Sequence, residues 1–492
     1  MTFGIGVTLF VSLYLVVILT IGYFARRARP DETLGEFYLA GRTLSGPILL
    51  LTLYATQYSG NSLLGYPGEA YRMGFAWIMS VGFMMAIVVA YLLFAPQLYA
   101  QAKRFHFVTP GDWLDHRFGS PSLSLIANTL LILGIGNYLL AQLMAMGHVI
   151  AGLTDQAVPY WAGVIVLTLV IIVYETMGGM RAVAWTDAMQ GIMLLLGIAG
   201  IIIAAVPGSA HLRETTEWIL SQQPERVVVP DWSLCATWVS SVLLIGFSGA
   251  VYPHAIQRIY AAESARTLRR SLSVMIFMPL VTTFPMFLIG ILSIRRFTNL
   301  GGVEADQVMP MLLRQWSSES TWMYAMAILV VVGTVAAIMS TADSVLLSIS
   351  SILAKDFVGK RLLVGASEAR LTRAGKVLSW AVMLVLVPVA LAPRITLWGL
   401  IELKMEILAQ VSPLFLLGLT WKRLTTRAAF AGMIAGTLVA GGLFLGGYRM
   451  VAGLHAGVIG WCVNLTLSVA LSLIWTGESS HQRKMTHPPL GG

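Results

Sequence analysis

Long hydrophobic stretches alternate with short polar segments along almost the whole chain. About 20 apolar residues suffice for a helix to cross the hydrocarbon core of a bilayer. Segments rich in proline, glycine and charge separate these stretches. The pattern predicts thirteen membrane-spanning helices, at residues 3–24, 45–70, 76–99, 122–153, 160–176, 183–206, 234–255, 271–294, 321–352, 376–391, 396–420, 427–447 and 455–476.

Two of the predicted spans contain polar interruptions at similar places. The first has the run Tyr58–Gly60 followed by Pro67, and the second has Phe247–Gly249 followed by Pro253. Small polar residues and prolines favour unwinding, and unwound backbone inside a bilayer is tolerated only where protein or a water-filled cavity satisfies it. Matching interruptions in two halves of a chain are typical of inverted-repeat transporters, whose ion and substrate sites lie at the breaks.

The composition excludes a soluble protein, since 57% of the 492 residues are hydrophobic, 11% are charged and the mean hydropathy is +0.78. The net charge of +9 reflects topology, because most of the Lys and Arg residues fall in loops on one predicted side, such as Arg26–Arg42 and Arg258–Arg270. This predicts an outside N-terminus and an inside C-terminus next to His481–Lys484. We expect a multi-pass protein of the inner (plasma) membrane. Its partners should include membrane lipid but no nucleic acid.

The sequence lacks the common signatures of soluble enzymes. It has no G-x-x-x-x-G-K-[ST] run for nucleotide phosphates and no H-E-x-x-H or Cys/His cluster for a metal. The two cysteines, Cys235 and Cys462, fall in or beside spans and give no disulfide framework. We therefore expect neither enzyme activity nor an organic cofactor.

A stripe of small and hydroxyl-bearing residues lies on one face of the helix predicted at 321–352. Such stripes often only join helices, but Asp343 in the same helix indicates a functional site, because an ionisable group inside a membrane is costly. Asp187, a few residues into its span, is either a helix-terminal charge or a member of such a site. The stripe comprises Ala337, Ser340, Thr341, Ser344 and Ser348.

Two further helices carry polar groups at membrane depth. On the helix at 122–153, Asn137 and Gln142 either form interhelical hydrogen bonds or contact a substrate, and Gln142 is the better substrate candidate. On the helix at 396–420, Glu402 and Glu406 share a face, and Lys404 is expected to pair with one of them or to extend towards the membrane surface. These three charges form a structural cluster or take part in gating.

Three segments resemble signature regions of the sodium:solute symporter family: GGMRAVAWTDAMQ at 178–190, PHAIQRIYAA at 253–262 and AIMSTADS at 337–344. The similarity extends over essentially the whole chain. It implies an all-α integral membrane protein of the leucine-transporter type, with two inverted five-helix repeats. The implied parts are one extra helix (1–30), the first repeat (45–207), an external loop (208–233), the second repeat (234–420), two extra helices (421–476) and a cytoplasmic tail (477–492).

The resemblance also implies a sodium site between the first broken helix and the helix at 321–352. Carbonyls from the break, one further carbonyl and two hydroxyls would hold the ion, which suits a hard cation. The residues at these positions are Ala55, Tyr58, Ala337, Ser340 and Thr341. A second sodium ion or a proton would be held by Asp187, Asp343 and Ser344, which leaves the coupling stoichiometry open.

The substrate pocket is expected where the two breaks meet. It should contain few amide and hydroxyl groups and no full positive charge, so that helix dipoles hold a carboxylate. Gln57 replaces an aspartate of the family's proline transporters, which argues against proline, whereas residues 55–71 are similar to the pantothenate-type branch. The candidate substrate residues are Gln57, Ser59, Asn137, Gln142, Phe247, Ser248 and Tyr252.

These features together predict a secondary active transporter in which inward sodium flow drives uptake of a small polar or anionic organic solute. The solute would be a carboxylate, an amino acid or a vitamin. Two alternatives stay open. One is a proton-coupled symporter of the same fold, and the other is a membrane sensor that retains the transporter fold.

Overall fold

The computed structural model describes residues 3–28, 31–154, 157–205, 209–297, 300–392 and 397–475. The predicted cytoplasmic tail at 477–492 lies outside these residues. The helices in chain order are α1 Phe3–Arg27, α2 Leu34–Leu39, α3 Gly46–Gln57, α4 Gly60–Leu63, α5 Gly65–Met73, α6 Met79–Phe105, α7 Pro110–Phe118, α8 Pro121–Leu153, α9 Tyr160–Ala205, α10 Ser209–Gln222, α11 Trp232–Ala250, α12 Pro253–Ala261, α13 Ala265–Met275, α14 Met278–Arg296, α15 Val308–Glu319, α16 Thr321–Ile352, α17 Glu368–Ala390, α18 Leu397–Ala409, α19 Ser412–Thr420, α20 Thr426–Leu445 and α21 Ala456–Ile474.

Short elements complete the described structure. The strands β1 Met450–Val451 and β2 Leu454–His455 pair as an antiparallel hairpin between α20 and α21. A π-helical turn, Leu353–Gly359, continues α16. Four 3₁₀ turns lie at Ala40–Arg42, Gly74–Ile78, Pro224–Val227 and Gly302–Gln307.

Among the described segments that are long and apolar enough to cross a membrane, the one that contains α16 is the most buried, and α16 packs against α9, α8 and α1. Its residues from Gly333 to Ile352 are all buried, including every hydroxyl-bearing side chain of the stripe. The peripheral helices instead expose large apolar side chains; Leu384 of α17, for example, is 77% exposed and Leu438 of α20 is 69% exposed. An apolar outer surface around a polar-containing centre is what a lipid environment requires.

Ten helical segments in the described parts of the chain are long and apolar enough to cross a membrane, and each coincides with predicted spans. The stretches at 45–70 and 396–420 do not qualify as continuous helices because both are broken. The spans predicted at 160–176 and 183–206 lie in one segment that bends at Gly179. Thirteen crossings, their orientation and the repeat boundaries stay predictions.

The structure confirms the interruption of the first broken helix. Helix α3 ends at Gln57, and Tyr58 adopts an extended conformation with φ −103° and ψ 106°. A single helical turn, α4, follows before α5 begins at Gly65. The break therefore falls at the polar run that predicted it.

The second interruption lies later than predicted. Helix α11 continues through Phe247–Gly249, and the chain leaves the helix at Val251 and Tyr252 before α12 starts. Proline is favoured in the first turn of a helix, and it disfavours helical geometry in the residue before it, so Pro253 sets the break. A third break, between α18 and α19 at residues 410–411, was not predicted; Pro413 lies in the first turn of α19.

The glycine break predicted near residue 179 is confirmed. Gly179 has φ 58° and ψ −148°, a conformation open mainly to glycine, and it separates the helical runs 160–178 and 180–205. A Cβ atom at this position would overlap the carbonyl oxygen of Phe37 in α2. The bend thus depends on glycine both for its dihedral angles and for close approach of α2.

Replacing Gly179 with alanine should therefore lower stability. Backbone strain of this kind costs about 1–3 kcal/mol, and the overlap with Phe37 adds to it. The control is Gly136→Ala on α8, where a Cβ would meet no heavy atom within 4 Å. Thermal unfolding of the purified proteins should show a clear loss for Gly179→Ala and none for Gly136→Ala; equal melting temperatures would contradict this account.

Candidate functional site

The first break leaves a backbone carbonyl without its helical partner. In a continuous helix the Ala55 carbonyl would accept the Ser59 N–H, but that N–H donates to the Ser62 hydroxyl at 3.3 Å. The Ala55 carbonyl instead accepts a hydrogen bond from the Ser340 hydroxyl of α16 at 2.9 Å. Unwinding of the first broken helix is thus linked directly to the hydroxyl stripe.

Four predicted sodium ligands meet in one buried group of oxygen atoms, called here the Ser340 cluster. Ser340 Oγ also lies 3.1 Å from the Ala337 carbonyl, which accepts from the Thr341 hydroxyl at 3.1 Å. These residues and Ala55 are at most 1% exposed. Within the described ranges, no charged side chain donates to these oxygen atoms. Tyr58, the fifth predicted ligand, is buried at the break itself.

The residues predicted for a second cation surround an arginine. The Arg258 guanidinium of α12 lies 2.6 Å from a carboxylate oxygen of Asp187, and both side chains are fully buried. Its Nε donates to the Thr52 hydroxyl at 2.7 Å, and its Nη2 also donates to the Ser344 hydroxyl. Nη1 donates to the His254 carbonyl at 2.9 Å. These groups, with Asp343, are called the Arg258 cluster.

Asp343 belongs to the same cluster but does not touch the guanidinium. One of its carboxylate oxygens accepts from the Ser344 hydroxyl at 3.0 Å, and the other accepts from the Tyr174 hydroxyl of α9. The Ser344 hydroxyl also lies 2.6 Å from the Ser340 carbonyl. The Ser340 and Arg258 clusters are therefore about one turn apart on α16.

Arg258 was missed by the sequence analysis. It was counted among the basic residues of an inside loop, whereas the structure buries it in α12 just after the second break. The available signal was an arginine six residues after that break, close enough to share the interior of the bundle. An arginine at such a position needs a carboxylate partner, which Asp187 supplies.

Gln142 is the substrate candidate on α8 that contacts the first break. Its side-chain oxygen accepts from the Gly60 N–H at 3.3 Å, and its buried Nε2 has no hydrogen-bond partner among the described residues. Tyr138 lies one turn earlier on the same face of α8, with its hydroxyl within reach of Ser59 and Thr341. This face of α8 therefore borders both the break and the Ser340 cluster.

Two other candidates direct their side-chain amides to backbone carbonyls of neighbouring helices. Gln57 is half-buried, and its Nε2 lies 3.4 Å from the Met84 carbonyl of α6. Asn137 donates to the Leu400 carbonyl of α18, so it forms an interhelical hydrogen bond, one of the two roles foreseen for it.

The candidates at the second break divide between two sides of α11. Ser248 is buried, and its hydroxyl lies 2.9 Å from the sulfur of Met405; the Tyr252 hydroxyl lies 3.3 Å from the same sulfur. Phe247 instead stacks on Trp461 of α21 with 4.8 Å between ring centroids. The structure therefore does not bring Phe247 together with the other substrate candidates.

The expectations for Lys404 were wrong. Its side chain is 1% exposed and does not extend to the surface, and its Nζ lies 3.4 Å from the ring centroid of Tyr138 and 4.5 Å from that of Tyr252. Glu402 and Glu406 instead approach His455 at 3.5 and 3.7 Å. Residues two positions apart in a helix point about 200° apart, so neither glutamate lies on the same face of α18 as Lys404. The region next to the second break, where no full positive charge was expected, contains this basic side chain.

The Arg258–Asp187 pair offers a test of the cluster. Removing one partner of a buried ion pair costs about 3–5 kcal/mol, because the other charge stays buried without compensation. Asp187→Asn and Arg258→Gln should each lower the unfolding free energy strongly, and the double variant should lose less than the sum. Chemical unfolding of the four proteins measures this coupling.

The exposed pair Arg213–Glu217 on α10 is the matched control, since its side chains are 82% and 60% exposed. Its coupling energy should stay below about 1 kcal/mol. Strictly additive losses at Arg258 and Asp187 would show that the two charges do not support each other.

Curated relatives match most of the chain. A sodium/pantothenate symporter of Escherichia coli K12 is 26% identical over 440 residues, which cover 86% of this chain and 87% of the relative. A high-affinity proline transporter of Bacillus subtilis 168 is 28% identical over 435 residues, covering 85% and 88%.

Solved structures show the same fold. A sodium-coupled sialic acid symporter in an outward-open, substrate-bound state superposes with a TM-score of 0.77 at 18% identity, covering 94% of this chain and 96% of that one. A transporter of the nucleobase-cation-symport-1 family in a closed conformation gives 0.54 at 14% identity, covering 93% and 99%. The fold is an all-helical membrane-transporter fold shared with leucine-transporter-type symporters.

The family comparison agrees with the motifs and with the geometry around α16. The sodium:solute symporter family matches residues 37–436, which contain both breaks and both clusters. The chain is thus an integral membrane protein of a family of transporters. It belongs to the sodium:solute symporter family.

Proposed function

We propose that this protein uses inward sodium flow to take up a small polar or anionic organic solute by alternating access. The observation that carries the proposal is the contrast between two neighbouring clusters on α16. The Arg258 cluster contains its own cation. The Ser340 cluster gathers two carbonyls and two hydroxyls, and no charged side chain of the described residues donates to them.

Sodium suits the Ser340 cluster for chemical reasons. A hard cation prefers oxygen ligands, and unwound backbone in a membrane helix supplies carbonyls that no helical N–H competes for. A hydroxyl oxygen has two lone pairs, so Ser340 and Thr341 can turn their hydrogens away and face the ion. The carbonyl of Tyr58, which follows Ala55 at the break, is proposed as the fifth ligand.

Arg258 occupies the place at which a second cation would bind. Its guanidinium compensates Asp187, and the Tyr174 hydroxyl donates to Asp343. A sodium ion between these carboxylates would have to displace a charge that is already hydrogen-bonded on three sides. We infer that one sodium ion, bound at the Ser340 cluster, accompanies each solute molecule.

The same contacts suggest how ion and solute are coupled. Ala55 belongs to the proposed first repeat (45–207), and Ser340 and Thr341 belong to the second (234–420). An ion bound to both would favour the arrangement in which the broken helix lies against α16, and a ligand shifts an equilibrium only by such differential binding. The Tyr138 hydroxyl lies within reach of both Ser59 and Thr341. A solute bound next to Tyr138 would therefore contact the arrangement that the ion favours.

The solute pocket is proposed between the breaks, around Ser59, Gln142, Ser248 and Tyr252. The relatives described above are named for pantothenate and proline. Gln57 stands where proline transporters of the family have an aspartate, which favours a solute other than proline. The unpaired Nε2 of Gln142 offers a hydrogen bond to a polar or anionic group.

Removal of the proposed ligands should weaken sodium binding. A hydrogen-bond-type contact to a charge contributes about 1.5–3 kcal/mol, so Ser340→Ala or Thr341→Ala should raise the half-maximal sodium concentration about tenfold to a hundredfold. Sodium-dependent thermal stabilisation measures this without a solute, because a bound ion stabilises the folded state.

The control is Thr334→Ala on the same helix. Thr334 is 1% exposed, and its hydroxyl donates only to the Val330 carbonyl of its own helix at 2.8 Å. This variant should keep the sodium dependence of the wild type. Unchanged sodium dependence in both Ser340→Ala and Thr341→Ala would remove the Ser340 cluster from the mechanism.

Transport itself separates the proposal from its alternatives. Proteoliposomes with an inward sodium gradient should accumulate labelled solute in a screen of carboxylates and amino acids, and replacing sodium by choline should stop uptake. Uptake driven by a proton gradient without sodium would establish the proton-coupled alternative. Solute binding without uptake under any gradient would indicate a sensor.

A further inference from the structure

Lys404 has an unusual environment for a basic side chain. It lies on α18 at 1% exposure, and its amino group faces the rings of Tyr138 and Tyr252 at 3.4 and 4.5 Å from their centroids. It forms no hydrogen bond or ion pair with any residue in the described ranges. The faces of two tyrosine rings attract an ammonium group, but they do not neutralise it.

No carboxylate of the described residues compensates this charge. Glu402 and Glu406 lie on the opposite face of α18, next to His455. Asp187 and Asp343 are engaged by Arg258 and Tyr174. A buried charge without a partner is costly, so its retention at the centre of the bundle calls for an anion that arrives from outside.

Two other unpaired groups lie at or near the same two rings. Gln142, one turn from Tyr138 on α8, has its buried Nε2 free of partners among the described residues. The centroid of the His254 ring lies 5.1 Å from that of Tyr252 and 6.2 Å from that of Tyr138. Its buried Nδ1 also lacks a hydrogen-bond partner among the described residues. An amine and an imidazole with unused hydrogen-bonding capacity therefore adjoin one aromatic pair, and an amide with such capacity lies one turn away along α8.

We propose that Lys404 binds the carboxylate of the transported solute and that this solute is an organic anion without an ammonium group. The proposal rests on the proposed function as a sodium-coupled transporter and narrows its substrate class. A charge-assisted hydrogen bond from Nζ, with a second from Gln142, would hold the carboxylate. An ammonium group on the solute would lie near Lys404 and Arg258, where the described residues offer no free carboxylate to receive it.

The position of Lys404 also predicts that ion and anion bind jointly. Tyr138 contacts the Lys404 amino group with its ring and reaches Thr341 with its hydroxyl. A carboxylate at Lys404 would thus lie close to a sodium ion at the Ser340 cluster. Opposite charges in a region of low dielectric attract more strongly than in water, so each should raise the affinity for the other.

The test uses the full-length purified protein and paired probes in sodium buffer. The probes are butyrate, lactate and pantothenate, each compared with its uncharged counterpart butyramide, lactamide or panthenol, and proline as a carboxylate that carries an ammonium group. At least one carboxylate should raise the melting temperature of the wild type. Its uncharged counterpart and proline should have little effect at the same concentration.

Lys404→Gln should raise the half-stabilising concentration of that carboxylate at least tenfold, since the charge is lost while the length of the side chain is nearly kept. Lys404→Met serves as a second variant, and without solute it should melt at or above the wild-type temperature because a buried charge has been removed. The control is Lys422→Gln in the exposed loop before α20, which should respond as the wild type does.

Each outcome decides a separate claim. Equal stabilisation by the carboxylate and its uncharged counterpart, or a wild-type response in both Lys404 variants, would overturn the role of Lys404. Stabilisation by proline equal to that by the carboxylates would overturn the exclusion of ammonium. If sodium stabilises the wild type but no carboxylate does, the carboxylate assignment would be overturned. If sodium does not stabilise the wild type, the proposed function would be contradicted instead.

Discussion

The constraint on which this structure depends is that unwound backbone inside a membrane protein must find hydrogen-bond partners within the protein. At the first break the Ala55 carbonyl finds the Ser340 hydroxyl, and the Gly60 N–H finds the side chain of Gln142. These two contacts bind the broken helix to α16 and α8. They also create the group of oxygen atoms that can receive a cation, because the partners are hydroxyls with spare lone pairs rather than fixed amides.

A buried charge in the helical bundle also needs a partner, and the two buried cations differ in whether the described residues supply one. Arg258 is fully buried and is matched by Asp187, Thr52 and Ser344, so this charge is part of the folded structure. Lys404 is also buried, but among the described residues its amino group has no hydrogen-bond or ion-pair partner and faces two tyrosine rings. A compensated cation stabilises the scaffold, and an uncompensated one prepares the pocket for an anion. The two residues therefore divide the structural and the solute-binding roles of positive charge.

Sequence reasoning succeeded where the signal was local. The break at Tyr58, the bend at Gly179 and the stripe around Ser340 each follow from residues that lie next to one another in the chain or on one helical face. It failed where a side chain's partner depended on how distant helices pack. Arg258 was assigned to a loop by charge counting, because its place shortly after the second break allows an inward position but does not reveal the carboxylate on α9 that pairs with it.

The same limit applies to other parts of the pocket. Lys404 was paired with its sequence neighbours Glu402 and Glu406, although a two-residue offset puts them on opposite faces of α18. Phe247 was grouped with Ser248, although adjacent residues of a helix point about 100° apart and Phe247 contacts α21. The identity of the polar residues at the breaks could thus be predicted, but not which of them share a surface.

The number of sodium ions bound per chain tests the account most directly. Equilibrium binding of sodium-22 to the purified protein should saturate at one ion per chain, because we propose that the Ser340 cluster binds sodium and that Arg258 excludes a second ion from the neighbouring cluster. The double variant Ser340→Ala/Thr341→Ala should lose this ion at the same sodium concentrations. Saturation at two ions, or an ion retained by the double variant, would contradict the account.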